Sequence, residues 1–175
     1  MRRSEQRLKF LVVCVLVATA LPVLGADMLL PRGWRMPTKQ ELGDDWRDKD
    51  AKRFATATGD FNGDGKSDQA MLLVPVRGEG VGLFVFLSQK DNTLKAYRID
   101  VIQDPLSINA MGIRKVSSGR YKTACGKGYW ECGKGEVPEV RLERDAVDYF
   151  KTESANSFLF WDKPAQAFKR VWMSD

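Results

Sequence analysis

Short apolar runs separated by turn-forming residues dominate the chain from residue 53 to its end. Apolar and polar residues alternate within many of these runs, and Gly, Pro, Asn and Asp cluster between them, which is typical of antiparallel strands. We predict eight or nine strands in a mostly β, single antiparallel β domain, either a sandwich or a partial-propeller-like arrangement. The segments that carry the pattern are residues 53–61, 69–76, 81–89, 94–102, 139–142, 146–150, 157–161 and 167–173, and residues 112–116 and 120–124 are shorter candidates.

One short N-terminal helix is predicted ahead of the strands. Thr38 is followed three residues later by Glu41, which is the capping-box pattern of a helix start, and we expect the helix to end near Trp46 or Arg47. Residues 27–37 contain two prolines and a glycine. We therefore expect an irregular lead-in there rather than regular structure.

Residues 1–26 have the pattern of a secretory signal peptide. Met1–Lys9 is basic, Phe10–Leu24 is almost entirely apolar, and small residues follow up to Ala26. The apolar run is shorter than the ~20 residues that span a bilayer. We therefore predict cleavage near Ala26, no membrane attachment afterwards, and a single exported domain over residues 27–175 that is periplasmic or secreted.

Charge and histidine content narrow the classes of function. The chain has 28 Lys and Arg against 23 Asp and Glu, but residues 1–26 hold four of the basic and one of the acidic residues. The rest of the chain is nearly neutral, so we predict no nucleic-acid partner. The sequence contains no histidine, which excludes Ser-His-Asp catalysis, HExxH zinc sites and an imidazole general base. We therefore expect a protein that is not an enzyme.

One motif indicates a metal. Residues 59–68 read GDFNGDGKSD, which places hard oxygen donors at alternate positions, with Gly65 at the sharp bend. This is the ligand spacing of a calcium loop, and we predict one structural Ca²⁺. Carboxylates so close together would repel one another without a cation among them. The predicted ligands are the side chains of Asp60, Asn62, Asp64 and Asp68 and the backbone carbonyl of Lys66.

The ligand shell is incomplete within this loop. An EF-hand would have a bidentate Glu where this chain has Met71, and the flanking sequence is strand-like rather than helical. Waters or a carboxylate from elsewhere, for example Asp48 or Asp50, would complete the shell. The alternative is a turn rich in Gly, Asp and Asn that binds no metal.

The stretch GDFNGDGKSDQAMLL, residues 59–73, resembles the calcium loop of FG-GAP and VCBS repeats. In those repeats a DxDxDGxxD loop joins two strands of a propeller blade, and the resemblance implies the same ligand positions here. The motif occurs once in this chain, whereas propellers repeat it. More loosely, the chain resembles small exported β proteins of Gram-negative bacteria, among them periplasmic immunity proteins and inhibitors of cell-wall hydrolases. This second resemblance implies a partner enzyme.

The cysteines predict a disulfide and a partner-binding loop. Cys14 lies in the apolar N-terminal run, which leaves Cys125 and Cys132, and two such thiols usually pair in an oxidising compartment. The bond would fix the shape of a Gly-rich loop. Aromatic and cationic residues are typical of binding hot spots, and the candidates here are Lys127, Tyr129, Trp130 and Lys134. The alternative is that Tyr129 and Trp130 fold back onto the core.

The leading hypothesis is an exported, calcium-binding, non-catalytic binding module. It would act as a periplasmic inhibitor or immunity protein and use residues 125–132 against a partner enzyme. One alternative is a glycan hydrolase with paired carboxylates, drawn from Glu136, Glu139, Glu143, Asp145, Asp148 and Glu153. The other is an envelope or carbohydrate-binding module with exposed tryptophans, drawn from Trp34, Trp46, Trp161 and Trp172.

Overall fold

A computed structural model describes residues 29–43, 45–48 and 50–175 of the chain. The predicted signal segment, residues 1–26, lies outside the described residues. Within the described ranges, no helix has the length and apolar character needed to cross a membrane.

Strands form most of the regular structure, which confirms the mostly β prediction. The helices of the described residues are α1 (Lys39–Leu42) and α2 (Ser107–Ala110), with a 3-10 turn at Cys125–Lys127. The strands are β1 (Trp34–Arg35), β2 (Thr56–Gly59), β3 (Asp68–Pro75), β4 (Val81–Ser88), β5 (Leu94–Ile102), β6 (Met111–Val116), β7 (Gly119–Lys122), β8 (Glu139–Leu142), β9 (Ala146–Lys151), β10 (Asn156–Asp162) and β11 (Ala167–Ser174). β1 and α2 have no counterpart among the predicted elements.

The strands form two antiparallel sheets and a separate hairpin. The first sheet has the order β1-β3-β4-β5, with β2 also paired to β3, and the second has the order β11-β10-β9-β6. The two sheets enclose the main core, which includes Leu83 of the first sheet and Ile113 and Leu159 of the second. The hairpin β7-β8 covers the other face of the second sheet. The result is a sandwich of two sheets with the hairpin as a third layer.

β4 is apolar on both faces and is buried on both. Its odd-numbered residues face the main core, whereas Phe84 and Phe86 face the opposite side, where Trp34 covers them. The ring centroids of Trp34 and Phe84 lie 4.9 Å apart. The expected irregular lead-in over residues 27–37 was therefore wrong at β1. The apolar back of β4 gives this segment a surface to pack on, and β1 pairs with β3 there.

The capping box at the start of α1 is confirmed, but the helix is shorter than predicted. The Glu41 N–H donates to Thr38 Oγ1 at 3.2 Å, and the Thr38 N–H donates to Glu41 Oε2 at 2.8 Å. The helix ends at Leu42 rather than near residues 46–47. Gly43 follows with a φ of 62°, a conformation that ends helices and that glycine adopts readily.

Arg47 is a buried cation whose hydrogen bonds all go to backbone carbonyls. Its guanidinium group donates to the carbonyls of Leu42, Arg53, Ile108 and Met111 at 2.6 to 3.2 Å. Burial lowers the pKa of Arg47 to about 10, so the group is charged at neutral pH. These bonds join the end of α1, the approach to β2, α2 and the start of β6.

Replacing Arg47 with Met is expected to lower the free energy of unfolding by about 3 kcal/mol. The four carbonyls would lose their donor, and a buried polar group without a partner costs ~1–3 kcal/mol. Arg53→Met is the matched control, because Arg53 is half-exposed and pairs with the exposed Asp48, an interaction worth less than about 1 kcal/mol. Urea unfolding at neutral pH measures both variants. Equal losses would contradict the role given to Arg47.

Glu41 gives the fold a pH-dependent contact. Two hydrogen bonds from Arg35, at 2.6 and 2.8 Å, and then the Thr38 amide lower the pKa of Glu41 from 4.5 to about 2. The folded-state pKa lies below the unfolded one, so the unfolded chain binds more protons between these values. The stabilisation is therefore complete above pH 4.5 and is lost as the pH falls through about 2.

Glu41→Gln is expected to cost about 1 kcal/mol of stability at neutral pH, since the ion pair is partly exposed and the cap is weakened. The difference from the parent chain should shrink towards zero as the pH falls through about 2. Denaturant unfolding of both chains across this range measures the difference. A difference of the same size at both ends of the range would show that charge on Glu41 does not matter.

Candidate functional site

The predicted calcium loop joins β2 to β3 and is organised by its own side chains. Both oxygens of Asp60 accept hydrogen bonds from the amides of residues 63–65 at 2.8 to 3.0 Å. Asn62 Oδ1 accepts from the Asp64 amide, and Asp64 Oδ1 accepts from the Lys66 amide, each at 2.9 Å. These successive turns hold the first three predicted ligands along one tight bend.

Asp68 is the last residue of the loop and is fully buried. Its Oδ2 accepts from the amides of Phe61 and Asn62 at 2.9 and 3.4 Å, and its Oδ1 accepts from the Ser88 amide at 2.9 Å. Burial raises the pKa of Asp68, and the three amides oppose that rise. Asp68 therefore fastens the loop to the end of β4.

Two basic side chains hold the loop from outside. Lys66 Nζ donates to the Gln89 carbonyl at 2.7 Å, which directs its charge away from the bend and leaves its own carbonyl as the group predicted to bind metal. Arg144, which follows β8, donates to the Asn62 carbonyl at 2.8 Å. The loop is thus linked to the turn that follows β4 and to the connection between β8 and β9.

The distant carboxylate at this loop is Asp145, which the sequence suggested for the hydrolase alternative but not for this loop. The Asp60 N–H donates to Asp145 Oδ2 at 3.3 Å, and the same oxygen lies 3.5 Å from Lys115 Nζ. The two carboxylates suggested from sequence are engaged elsewhere. Asp48 pairs with Arg53, and Asp50 caps a local turn.

The donor set fits a hard cation in its chemistry. Carboxylate and amide oxygens of Asp60, Asn62 and Asp64 are the ligand type that Ca²⁺ prefers, and backbone amides already hold these side chains in place. Among the described residues, however, no three His, Cys, Asp or Glu side chains are drawn together closely enough to form a metal-binding group. Calcium binding by Asp60, Asn62, Asp64, Asp68 and the Lys66 carbonyl therefore stays a prediction.

The predicted disulfide between Cys125 and Cys132 is confirmed, with the two Cα atoms 5.0 Å apart. The segment is fastened to the end of β11 by two hydrogen bonds. The Ala124 N–H donates to the Trp172 carbonyl at 2.8 Å, and Lys127 Nζ donates to the Met173 carbonyl at 2.6 Å. The loop therefore has a fixed position against the second sheet.

The four predicted partner-binding residues differ in their surroundings. Tyr129 is 55% exposed, so it does not fold back onto the core. Trp130 is half-buried, and its Nε1 donates to Glu136 at 3.1 Å. Lys134 is exposed, whereas Lys127 is held by its bond to β11.

A groove lies between the disulfide loop and β11, and we call it the disulfide groove. Its volume is about 190 Å³. The sequence indicated Trp130 as partner-binding, and it indicated Cys125, Glu136 and Trp172 in other roles. It gave no signal for the remaining lining residues, because they come from separate segments. The apolar lining residues are Trp130, Val137, Val140, Phe160, Val171 and Trp172, and the charged ones are Glu136, Lys169 and Arg170.

Among the residues that the structure describes, the six carboxylates considered for the hydrolase alternative do not share hydrogen-bond or ion-pair partners. Asp148 is buried and accepts from Arg114 and Asn156, both at 2.8 Å. The others that have partners use separate ones: Glu136 with Trp130, Glu139 with Arg120, Glu143 with Arg144 and Asp145 with Lys115. Within the described ranges, no two of the six carboxylates considered share a side-chain partner.

The four tryptophans considered for a glycan platform have different positions. Trp161 lies in the main core, and Trp34 covers the back of β4. Trp46 stacks on Phe54 with ring centroids 5.6 Å apart. Of these four, Trp172 is the one with a large exposed surface, at 42%.

Comparison with known proteins gave no match. No protein-family model, no curated protein and no solved structure matched the chain. The resemblance of residues 59–73 to FG-GAP and VCBS loops therefore remains a prediction from the motif.

Calcium is expected to raise the melting temperature of the chain relative to EGTA at the same ionic strength. Free calcium at about a hundred times its Kd adds about 2.7 kcal/mol, which for this size corresponds to ~5 to 10 °C. Asp64→Ala should abolish the rise, because it removes a ligand but no bond to another strand. Thermal melts followed by circular dichroism measure both.

Two further variants sharpen this test. Asp104→Ala removes an exposed carboxylate that caps the turn before α2 and should leave the calcium response unchanged. Asp68→Asn should lower the melting temperature even in EGTA, because it disturbs the hydrogen bonds that the buried Asp68 accepts from three backbone amides. A parent chain that melts at the same temperature in calcium and EGTA would show that the loop is a turn without metal.

Proposed function

We propose that this chain is an exported, calcium-binding β-domain protein that acts by binding a protein partner and performs no chemistry of its own. Its partner would be an enzyme of the periplasm or the extracellular space, and the chain would act as its inhibitor or immunity protein. The loop at residues 60–68 would hold one structural Ca²⁺, and the binding surface would be formed by the disulfide loop and the disulfide groove.

The observation that carries this proposal is the cluster of exposed apolar side chains around the disulfide loop. Tyr129, Val137 and Trp172 are 55%, 46% and 42% exposed, and the latter two line the disulfide groove. Exposed aromatic side chains beside a preformed pocket are typical of interface hot spots. The surrounding Lys134 and Glu136 supply a polar rim.

The fixed position of the loop supports an inhibitory role. The disulfide and the bonds of Ala124 and Lys127 to β11 hold the loop before a partner arrives. Binding a preformed loop avoids much of the ordering cost that a mobile loop would have. Such a loop can occupy the cleft of an enzyme without being reorganised by it.

The carbohydrate-binding alternative is favoured by one observation, the exposure of Trp172 and Tyr129, because sugars stack on exposed aromatic rings. It predicts retention on a glycan column. The hydrolase alternative predicts hydrolysis of peptidoglycan that is lost on Glu→Gln changes.

Trp172→Ala is expected to weaken binding of the partner at least tenfold, since buried interface tryptophans commonly contribute more than ~1.4 kcal/mol. The partner would be recovered with the immobilised chain from periplasmic extract or culture medium and identified by mass spectrometry. Its affinity for parent and variant chains would then be measured by calorimetry. Val76→Ala is the matched control, because Val76 is 58% exposed and lies outside the disulfide groove.

Other outcomes decide against the proposal. Equal affinity of the Trp172 and Val76 variants would remove the disulfide groove from the binding surface. Retention on a glycan column that depends on Trp172, without any protein partner, would favour the carbohydrate-binding alternative. Hydrolysis of peptidoglycan by the purified chain would establish an enzyme.

A further inference from the structure

One edge of β11 is free of strand pairing in the described part of the chain. β11 pairs with β10, and the register is unbroken from Trp172 opposite Ser157 to Ala167 opposite Asp162. Its other edge faces no strand of the described residues. A free edge offers backbone donors and acceptors to any extended chain that can reach them.

The hydrogen bond between Ala124 and Trp172 shows which backbone groups of β11 point away from β10. The Trp172 carbonyl accepts from the Ala124 N–H at 2.8 Å, on the side away from β10. Peptide groups of alternate residues in an antiparallel strand point to the same edge. The N–H and C=O groups of Arg170 and Phe168 therefore point the same way. Outside the strand ladders, no backbone hydrogen bond of the described residues reaches them.

The disulfide groove lies beside this same edge. The consecutive residues Lys169–Trp172 line it, and Val137, Val140 and Phe160 form apolar walls. Its volume of about 190 Å³ has room for one large apolar side chain. An added strand would thus gain backbone hydrogen bonds and a buried anchor together, which is how strand addition combines affinity with specificity.

We propose that the partner binds by adding an extended segment to the free edge of β11, as a further strand of the second sheet. One apolar side chain of that segment fills the disulfide groove, and an acidic side chain lies near the cations beside it. This inference rests on the proposed function and specifies how the partner is held. The Ala124–Trp172 bond already occupies the last position of the edge, so the added strand pairs with Phe168 and Arg170.

Charge favours a partner strand that is acidic and disfavours a second copy of this chain. Two β11 strands paired with each other would set Lys169 and Arg170 against the same residues of the other copy, and like charges facing each other destabilise a sheet. Lys169 pairs with Asp162 and Arg170 with Asp100. Lys127 is bonded to a carbonyl and Lys134 is exposed, and neither forms an ion pair with a carboxylate of the described residues. Glu136, the carboxylate in the groove wall, accepts from Trp130 and from the Gly133 amide instead, so both lysines are available to an acidic side chain of the partner.

The probe for this proposal is a set of linear peptides. They are selected from a random phage-displayed library for binding to the disulfide-bonded chain. Selected peptides should have an apolar residue flanked by acidic ones. The tightest peptide is then synthesised, and amide hydrogen exchange of the chain is followed by NMR. Binding should slow exchange of the Phe168 and Arg170 amides at least tenfold. The amides of Lys169 and Val171 face β10 and serve as internal controls, because an added strand cannot reach them.

Two changes separate backbone pairing from side-chain contact. Arg170→Pro removes the outward N–H but no bond to β10, and Arg170→Ala removes the same side chain while keeping that N–H. We expect Arg170→Pro to bind the peptide about tenfold more weakly than Arg170→Ala. N-methylation of alternate peptide amides should weaken binding to the unchanged chain to a similar extent, which tests the proposal without altering β11.

The outcomes distinguish this inference from the proposed function. If Trp172→Ala abolishes partner binding but Arg170→Pro equals Arg170→Ala and N-methylation has no effect, strand addition is overturned and the binding role stands. If no peptide is selected and the partner does not protect Phe168 and Arg170, strand addition is likewise overturned. Concentration-dependent dimers that protect the same amides would assign the edge to a second copy instead.

Discussion

Both sheets are apolar on two faces, and the need to cover the second face of each determines where the remaining segments lie. In the first sheet, Phe84 points away from the main core and is covered by β1. In the second, Phe158 and Met173 point away from it, and Val140 of the hairpin β7-β8 packs on them. Burial of apolar surface contributes about 25 cal/mol per Å² to stability. The apolar contacts between the hairpin and the second sheet therefore hold the hairpin in place. The disulfide loop connects the two strands of this hairpin, and its position against β11 follows from that packing.

Two buried ionisable side chains form hydrogen bonds with backbone groups rather than ion pairs with side chains of opposite charge. Arg47 donates to four carbonyls, and Asp68 accepts from three amides. A buried ion without partners would be very costly, so each of these residues specifies the conformation of the segments that supply its partners. Arg47 does this for the irregular chain between α1 and β2, and Asp68 does it for the loop before β3. Packing contributes as well, because Ala51 and Ala55 of the first segment and Phe61 of the second lie in the main core.

Local features of the fold could be predicted from sequence, whereas features made by distant segments could not. Strand alternation, the capping box of Thr38 and the pairing of Cys125 with Cys132 each depend on neighbouring residues or on the number of cysteines. α2 has no side-chain cap and therefore no local signal. Asp145 reaches Asp60 across 85 residues of sequence, and the disulfide groove combines separate segments. The disulfide was predicted from sequence, whereas the choice between an exposed and a buried Tyr129 was open until the structure placed it at the surface. Trp172 was considered only for a glycan platform, because its position beside the disulfide loop depends on the contact of Ala124 with β11.

The predicted calcium loop and the disulfide groove are connected through one short strand, β8. Val140 in β8 lines the groove, and Arg144, just beyond the end of β8, donates to the Asn62 carbonyl of the loop. Asp145 then accepts from the Asp60 amide. A cation held by Asp60, Asn62 and Asp64 would stabilise the backbone that Arg144 and Asp145 contact, and would thereby fix one end of β8. A metal bound there would have a structural role at a distance: it would keep the hairpin β7-β8, and with it the wall of the disulfide groove, in a fixed position for the proposed partner.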